Sequence, residues 1–141
     1  MKTIRRNQAG FSLIEIMVVV FIMGLLVTLV APRILGRTDD ARATKAAADI
    51  RALEQSLSLY KLDNGQFPTT EQGLEALVLQ PTSGPAPRRW RPYLDNLPLD
   101  PWDMAFIYES DGRDYLLMSF GADAAEGGSG PDADIDARDL G

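Results

Sequence analysis

Two groups of carboxylates carry the chemistry open to this chain. Glu15 stands alone near the start of an apolar run from Phe11 to Ala31. Asp123, Asp132, Asp134 and Asp136 lie near the C-terminus among Gly121, Gly127, Gly128 and Gly130. Hard cations take roughly six to eight oxygen ligands from carboxylates and backbone carbonyls, and a glycine-rich loop can bring such donors together. The alternative for the tail is a solvated acidic end. Asp132-x-Asp134-x-Asp136 has the start of an EF-hand loop, but Ala137 stands where that loop needs glycine, so the EF-hand pattern fails.

Catalysis has little to draw on. The 141 residues include no cysteine and no histidine. That excludes disulfides, thiolate metal sites and cysteine nucleophiles, and removes the commonest general base. An enzyme is not expected. The net charge of −6 is unevenly spread, with twelve acids from Asp95 onward against only Arg113 and Arg138. Such a surface does not suit phosphate binding, so no nucleic-acid partner is expected. The cluster Arg88-Arg89-Trp90-Arg91 is instead suited to contacts with acidic neighbouring subunits.

Glu15 must be positioned by the apolar run. Phe11 to Ala31 is 21 residues, and as a helix would be about 31 Å long, close to the hydrocarbon thickness of a bilayer. A carboxylate there costs roughly 2.5–3.5 kcal/mol on insertion scales, so it marks function. Lys2, Arg5 and Arg6 precede the run, and no A-x-A-like cleavage site follows it. Basic residues lie on both flanks, including Arg33, Arg37, Arg42 and Lys45, so charge alone does not set the orientation. Pro32 ends the run and would weaken a continuous helix. Gly24 is either incidental or a point of close helix approach.

The chain has room for one small domain beyond this segment. Ile50, Leu53, Leu57 and Tyr60 recur at helical spacing, and Asp63-Asn64-Gly65 supplies a stop. A short helix capped by Thr70 is expected to carry Leu74, Leu77 and Val78. Residues 80–92 read as a Pro-rich loop, and 97–103 as a rigid turn with a buried Trp102 anchor. Strands are expected at 105–109 and 115–120, joined by a hairpin loop at 110–113. The fold class is α+β.

Gly10-Phe11-Ser12-Leu13-Ile14-Glu15 after a short basic leader resembles the class III signal of type IV pilins and pseudopilins. Tyr60 to Gly65, Phe67 to Leu77, Leu97 to Trp102 and Phe120 to Asp123 narrow the resemblance to the major pseudopilins of bacterial type II secretion. The resemblance implies a type IV pilin-like fold, with a long N-terminal helix packed on a small antiparallel sheet and a C-terminal loop. It implies a leader at 1–10, a transmembrane and fibre-core helix at 11–32, and a periplasmic domain at 33–141. A prepilin peptidase would cut between Gly10 and Phe11 and methylate Phe11. Phe11, Glu15 and Pro32 would serve assembly, Pro32 by allowing local unwinding.

The resemblance further implies a single-pass inner-membrane protein, with its N-terminus in the cytoplasm, that polymerises into a pseudopilus. Its partners would be copies of itself, minor pseudopilins, an inner-membrane platform with its ATPase, and the outer-membrane secretin through which folded proteins leave. Calcium is implied in the C-terminal loop, bound by the carbonyls of Phe120 and Ala122, the Asp123 carboxylate, and Asp132 or Asp134. Two departures bear on this: Gly130 replaces a common acid, and Ala124 replaces the usual glycine. A type IV pilin, a minor pseudopilin and a membrane-anchored enzyme are the alternatives.

Overall fold

The computed structural model describes residues 10–141, apart from the side chains of 29–37. One helix, α1, spans Leu13–Asn64 and continues past Pro32. Contacts divide the chain into two units, one up to Thr38 and one from Asp39 onward.

In the second unit, α1 buries one stripe. Ala46, Ile50, Leu53, Leu57 and Tyr60 recur every three or four residues and are almost fully buried. From Ile50 onward this stripe shares a core with Phe67, Leu74, Leu77, Phe106, Leu117 and Ala137. The helix stops at Gly65, which takes φ +87° and donates its N–H to the Lys61 carbonyl at 2.7 Å. Glycine enters this left-handed region without the Cβ clash other residues meet.

The last turn of α1 also fixes the Pro-rich loop. Asn64 Nδ2 donates to the Tyr60 carbonyl and to Tyr93 Oη, both at 3.0 Å, while Asn64 Oδ1 accepts the Arg89 N–H at 2.9 Å. Asp63 Oδ2 accepts from Arg91 Nε at 2.9 Å and from the Tyr93 hydroxyl at 3.1 Å. Trp90 Nε1 donates to the Ala76 carbonyl at 2.8 Å. Gln72 Nε2 donates to the carbonyls of Ser83 and Pro85, each at 2.9 Å. Side chains thereby supply the partners that a loop lacks in its own backbone.

The expected helix after Thr70 is reduced to a 3-10 turn, Leu74–Leu77. Thr70 does not cap it, because its hydroxyl bonds the Ser110 carbonyl at 3.1 Å and accepts the Ser110 N–H at 2.8 Å. Gly73, at φ +63°, turns the chain out of helical geometry. Leu74, Ala76 and Leu77 still reach the core.

The sheet has three antiparallel strands in the order β1-β2-β3: Ile107–Ser110, Tyr115–Ser119 and Ile135–Asp136. Ile107 pairs with Met118 and Ser110 with Tyr115, while Ser119 pairs with Ile135. The first two strands and their hairpin match expectation within about two residues. The third has two residues, too few for a periodic signal. Trp102 is only half-buried, and its shielded indole N–H has no partner. The anchor of that turn is Asp100, whose Oδ1 accepts the N–H groups of Trp102 (3.0 Å) and Met104 (2.8 Å). Its Oδ2 accepts the Ser119 hydroxyl at 2.6 Å.

The two faces of α1 should respond differently to truncation. Leu57→Ala is expected to lower unfolding free energy by ~2–5 kcal/mol, as for other buried leucines. Leu59→Ala, on the exposed side, should cost no more than ~0.5 kcal/mol. Denaturant midpoints of the two variants check this, and similar losses would contradict the assigned core.

Candidate functional site

At the start of α1, Ser12-x-x-Glu15 forms half of a capping box. The Ser12 N–H donates to Glu15 Oε2 at 3.4 Å, and the Ser12 carbonyl accepts the N–H groups of Glu15 (3.1 Å) and Ile16 (3.2 Å). A carboxylate in the first turn also complements the positive end of the helix dipole. This local role is readable from the Ser-x-x-Glu spacing.

Among the described residues nothing covers the side chains around Glu15. Phe11 is 81% exposed and Leu13 82%, and every described large apolar side chain through Val27 is exposed. Gly24 has open space where a Cβ would sit, so no intrachain contact requires glycine there. Among the described residues no helix is long and apolar enough to cross a membrane. The expected span at 11–32 ends in residues whose side chains lie outside the described ones, as does that of Pro32. Most of the leader, 1–9, also lies outside the described residues.

The C-terminal loop is folded tightly on itself. Gly121 takes φ +70°, and a Cβ there would lie 2.8 Å from the Ala133 carbonyl oxygen. A Cβ on Gly128 would lie 2.3 Å from the Asp132 carbonyl oxygen. These close approaches require glycine. The Ala122 N–H donates to the Pro131 carbonyl at 3.1 Å, closing the loop's base. Ala124 takes φ +55°, a left-handed conformation that costs an L-residue roughly 1–2 kcal/mol.

The expected ligands differ in their surroundings. Asp123 is exposed, and its Oδ1 accepts the Ala125 N–H at 3.1 Å. Asp132 is exposed. Asp134 is half-buried; its Oδ2 accepts the Gly127 N–H at 2.9 Å, while Oδ1 is shielded and has no partner. An unpaired carboxylate oxygen away from water is costly, and it fits a cation's donor set. Phe120 and Ala122 flank Gly121 where the loop leaves the sheet. Among the described residues no three acidic side chains converge as a metal cluster, so a cation there would depend on carbonyl oxygens as well. Asp136 is committed elsewhere. It receives Arg138 Nε at 3.0 Å on each oxygen, a further bond from the guanidinium, and the Arg138 N–H at 2.9 Å.

With this geometry in view, similarity to known proteins is informative. The family model described as type II secretion system (T2SS), protein G matches residues 33–138. The prokaryotic N-terminal methylation motif matches residues 5–31. The type II secretion system core protein G of Pseudomonas aeruginosa is 51% identical, across 93% of this chain and 95% of that protein. That of Vibrio cholerae is 50% identical, across 92% and 91%. A crystal structure of the major pseudopilin from the type 2 secretion system of enterohaemorrhagic Escherichia coli superposes with a TM-score of 0.68 at 40% identity, covering 76% of this chain and 91% of that one.

The Asp136–Arg138 contact has a pH signature. Arg138 holds the Asp136 carboxyl below its ordinary value of 3.8, chiefly through side-chain hydrogen bonds. A depressed folded-state pKa stabilises the fold above the unfolded value, and the gain is lost as pH falls through the folded one. Arg138→Ala should therefore be less stable than the parent near neutrality, with the gap closing below about pH 4. Melting temperatures of both proteins from pH 7 to 3 check this; a gap that persists in acid would assign Arg138 another role.

Proposed function

The chain belongs to the type II secretion system protein G family, and from that premise we propose how it acts as the structural subunit of a pseudopilus. One observation carries the mechanism: the apolar side chains from Phe11 to Val27 are exposed along the start of α1. A helix apolar all round must be covered by something outside its own chain. Lipid covers it while the subunit waits in the inner membrane, and other copies cover it in the fibre. The chain's role is mechanical rather than catalytic. Growth of the fibre pushes folded proteins toward the outer-membrane secretin, driven by the ATPase and its membrane platform.

Glu15 changes partner between the two states. In the single chain it caps its own helix through the Ser12 N–H. Cleavage after Gly10 by the prepilin peptidase creates a cationic amine on Phe11. In the fibre, that amine from a neighbour neutralises the Glu15 carboxylate among apolar helices. Removing one partner of a buried pair typically costs ~3–5 kcal/mol, so the pair selects register as well as affinity.

In the C-terminal loop we assign calcium to the carbonyls of Phe120 and Ala122 and the carboxylates of Asp123 and Asp134. Asp134 is preferred over Asp132 because of its unpaired, shielded oxygen. Bound there, the ion would supply a cross-link between the ends of the loop. A small extracytoplasmic domain without disulfides gains most from such a staple.

Glu15→Ala should be cleaved and N-methylated at Phe11 like the parent, by mass spectrometry of the mature N-terminus, yet give no fibres. Normal fibres from this variant would contradict the pairing. For the loop, a chelator should lower the melting temperature of the full chain and added calcium restore it, with Asp134→Ala abolishing the response. A melt indifferent to calcium and chelator would remove the metal assignment.

A further inference from the structure

Asp100 is a carboxylate buried without a cation. It is almost fully buried, and among the described residues no lysine or arginine pairs with it. Three hydrogen bonds satisfy it: the N–H groups of Trp102 and Met104 on Oδ1, and the Ser119 hydroxyl on Oδ2. A carboxylate only accepts, so the last contact takes the single hydrogen of the hydroxyl. The Ser119 oxygen, itself fully buried, is left with lone pairs alone, and it accepts the Gly121 N–H at 3.3 Å. The direction of donation is thereby fixed from the core outward.

The backbone carries that direction to the expected ligands. The peptide between Phe120 and Gly121 is planar and trans, so its carbonyl points the opposite way from its N–H. Holding the Gly121 N–H against Ser119 therefore turns the Phe120 carbonyl away from Ser119. The next peptide is tied as well, with the Ala122 N–H on the Pro131 carbonyl at 3.1 Å. Among the described residues neither the Phe120 carbonyl nor the Ala122 carbonyl accepts a hydrogen bond. Two open oxygens thus stand on a segment whose N–H groups are held. On the returning arm of the loop, Ser119 pairs across the sheet with Ile135, the neighbour of Asp134 and its shielded open oxygen.

We propose that Asp100 and Ser119 are positioning residues of the calcium site. Asp100 orients the Ser119 hydroxyl, and Ser119 holds the Phe120–Gly121 peptide with its carbonyl presented to the ion. Neither side chain touches calcium. The inference rests on the calcium assignment above and adds how the donors are held ready before the ion arrives. A donor already in place loses less freedom on binding, and removing the groups that orient metal ligands typically costs about 10- to 100-fold in affinity.

Calorimetry on the full chain tests this. Ser119→Ala, which lacks the hydroxyl, should bind calcium about 10- to 100-fold more weakly. Ser119→Thr, which keeps it, should recover most of the affinity. Ile50→Val, a mild truncation elsewhere in the core, should lower the calcium-free melting temperature yet bind calcium like the parent. Parent-like affinity in Ser119→Ala, or a loss just as large in Ser119→Thr or Ile50→Val, would overturn the positioning role while leaving the calcium assignment intact. A parent chain that binds no calcium would overturn that assignment, and this inference with it. Hydrogen exchange of the parent gives an independent measurement that does not depend on any variant folding. The Gly121 amide should already be protected without calcium; protection that appears only when calcium is added would also overturn the proposal.

Discussion

The structure depends on one helix being given two different kinds of cover. Over its first turns α1 is apolar on every side apart from Glu15, and no described residue shields it. From Ala46 onward it is apolar on one stripe, and the chain shields that stripe completely. The second condition is met by folding and the first only by lipid or by other molecules. A protein built this way is stable as a domain and incomplete as a chain, a condition suited to a polymer subunit.

The small domain exists largely to keep that stripe covered. Its sheet is short, with two of its three strands joined by a tight hairpin, and much of its chain is irregular. The irregular parts are held by side chains with exact partners in place of backbone ladders: Asn64 and Asp63 at the helix end, Gln72 under the Pro-rich loop, Asp100 within the turn. Each makes more than one hydrogen bond. Loss of Asn64, Gln72 or Asp100 would free at least two backbone groups together, and loss of Asp63 would free the Arg91 and Tyr93 side chains.

What could be read from the residues followed from periodicity and motif. The helix stripe at Ile50, Leu53, Leu57 and Tyr60, the stop at Gly65 and the hairpin at 110–113 all express local rules, and the structure has them. Misreadings arose where a side chain's partner is distant in sequence. Thr70 is a good cap by type, but it bonds Ser110, forty residues away. Trp102 is the largest residue of its turn, yet the smaller Asp100 is the one held in the core by Ser119. Strand β3 has only two residues and owes its existence to pairing with β2. In the candidate sites, residue type indicated which acids to consider, but only the fold distinguished Asp134, with a shielded open oxygen, from Asp136, already occupied by Arg138.

Ser119 joins two regions of the domain. Its hydroxyl donates to Asp100 in the turn and accepts the N–H of Gly121, at 3.3 Å, where the C-terminal loop begins. A single buried oxygen therefore hydrogen-bonds both the turn that bears Leu99 and Met104 and the root of the loop that bears Asp123 and Asp134. A shift of that turn would be felt at the root of the loop through these two hydrogen bonds, beside the cleft that Met104 and Ala105 share with Phe120, Gly121 and Ala124. In a subunit of the fibre proposed above, this would put the turn and the loop on one path of load.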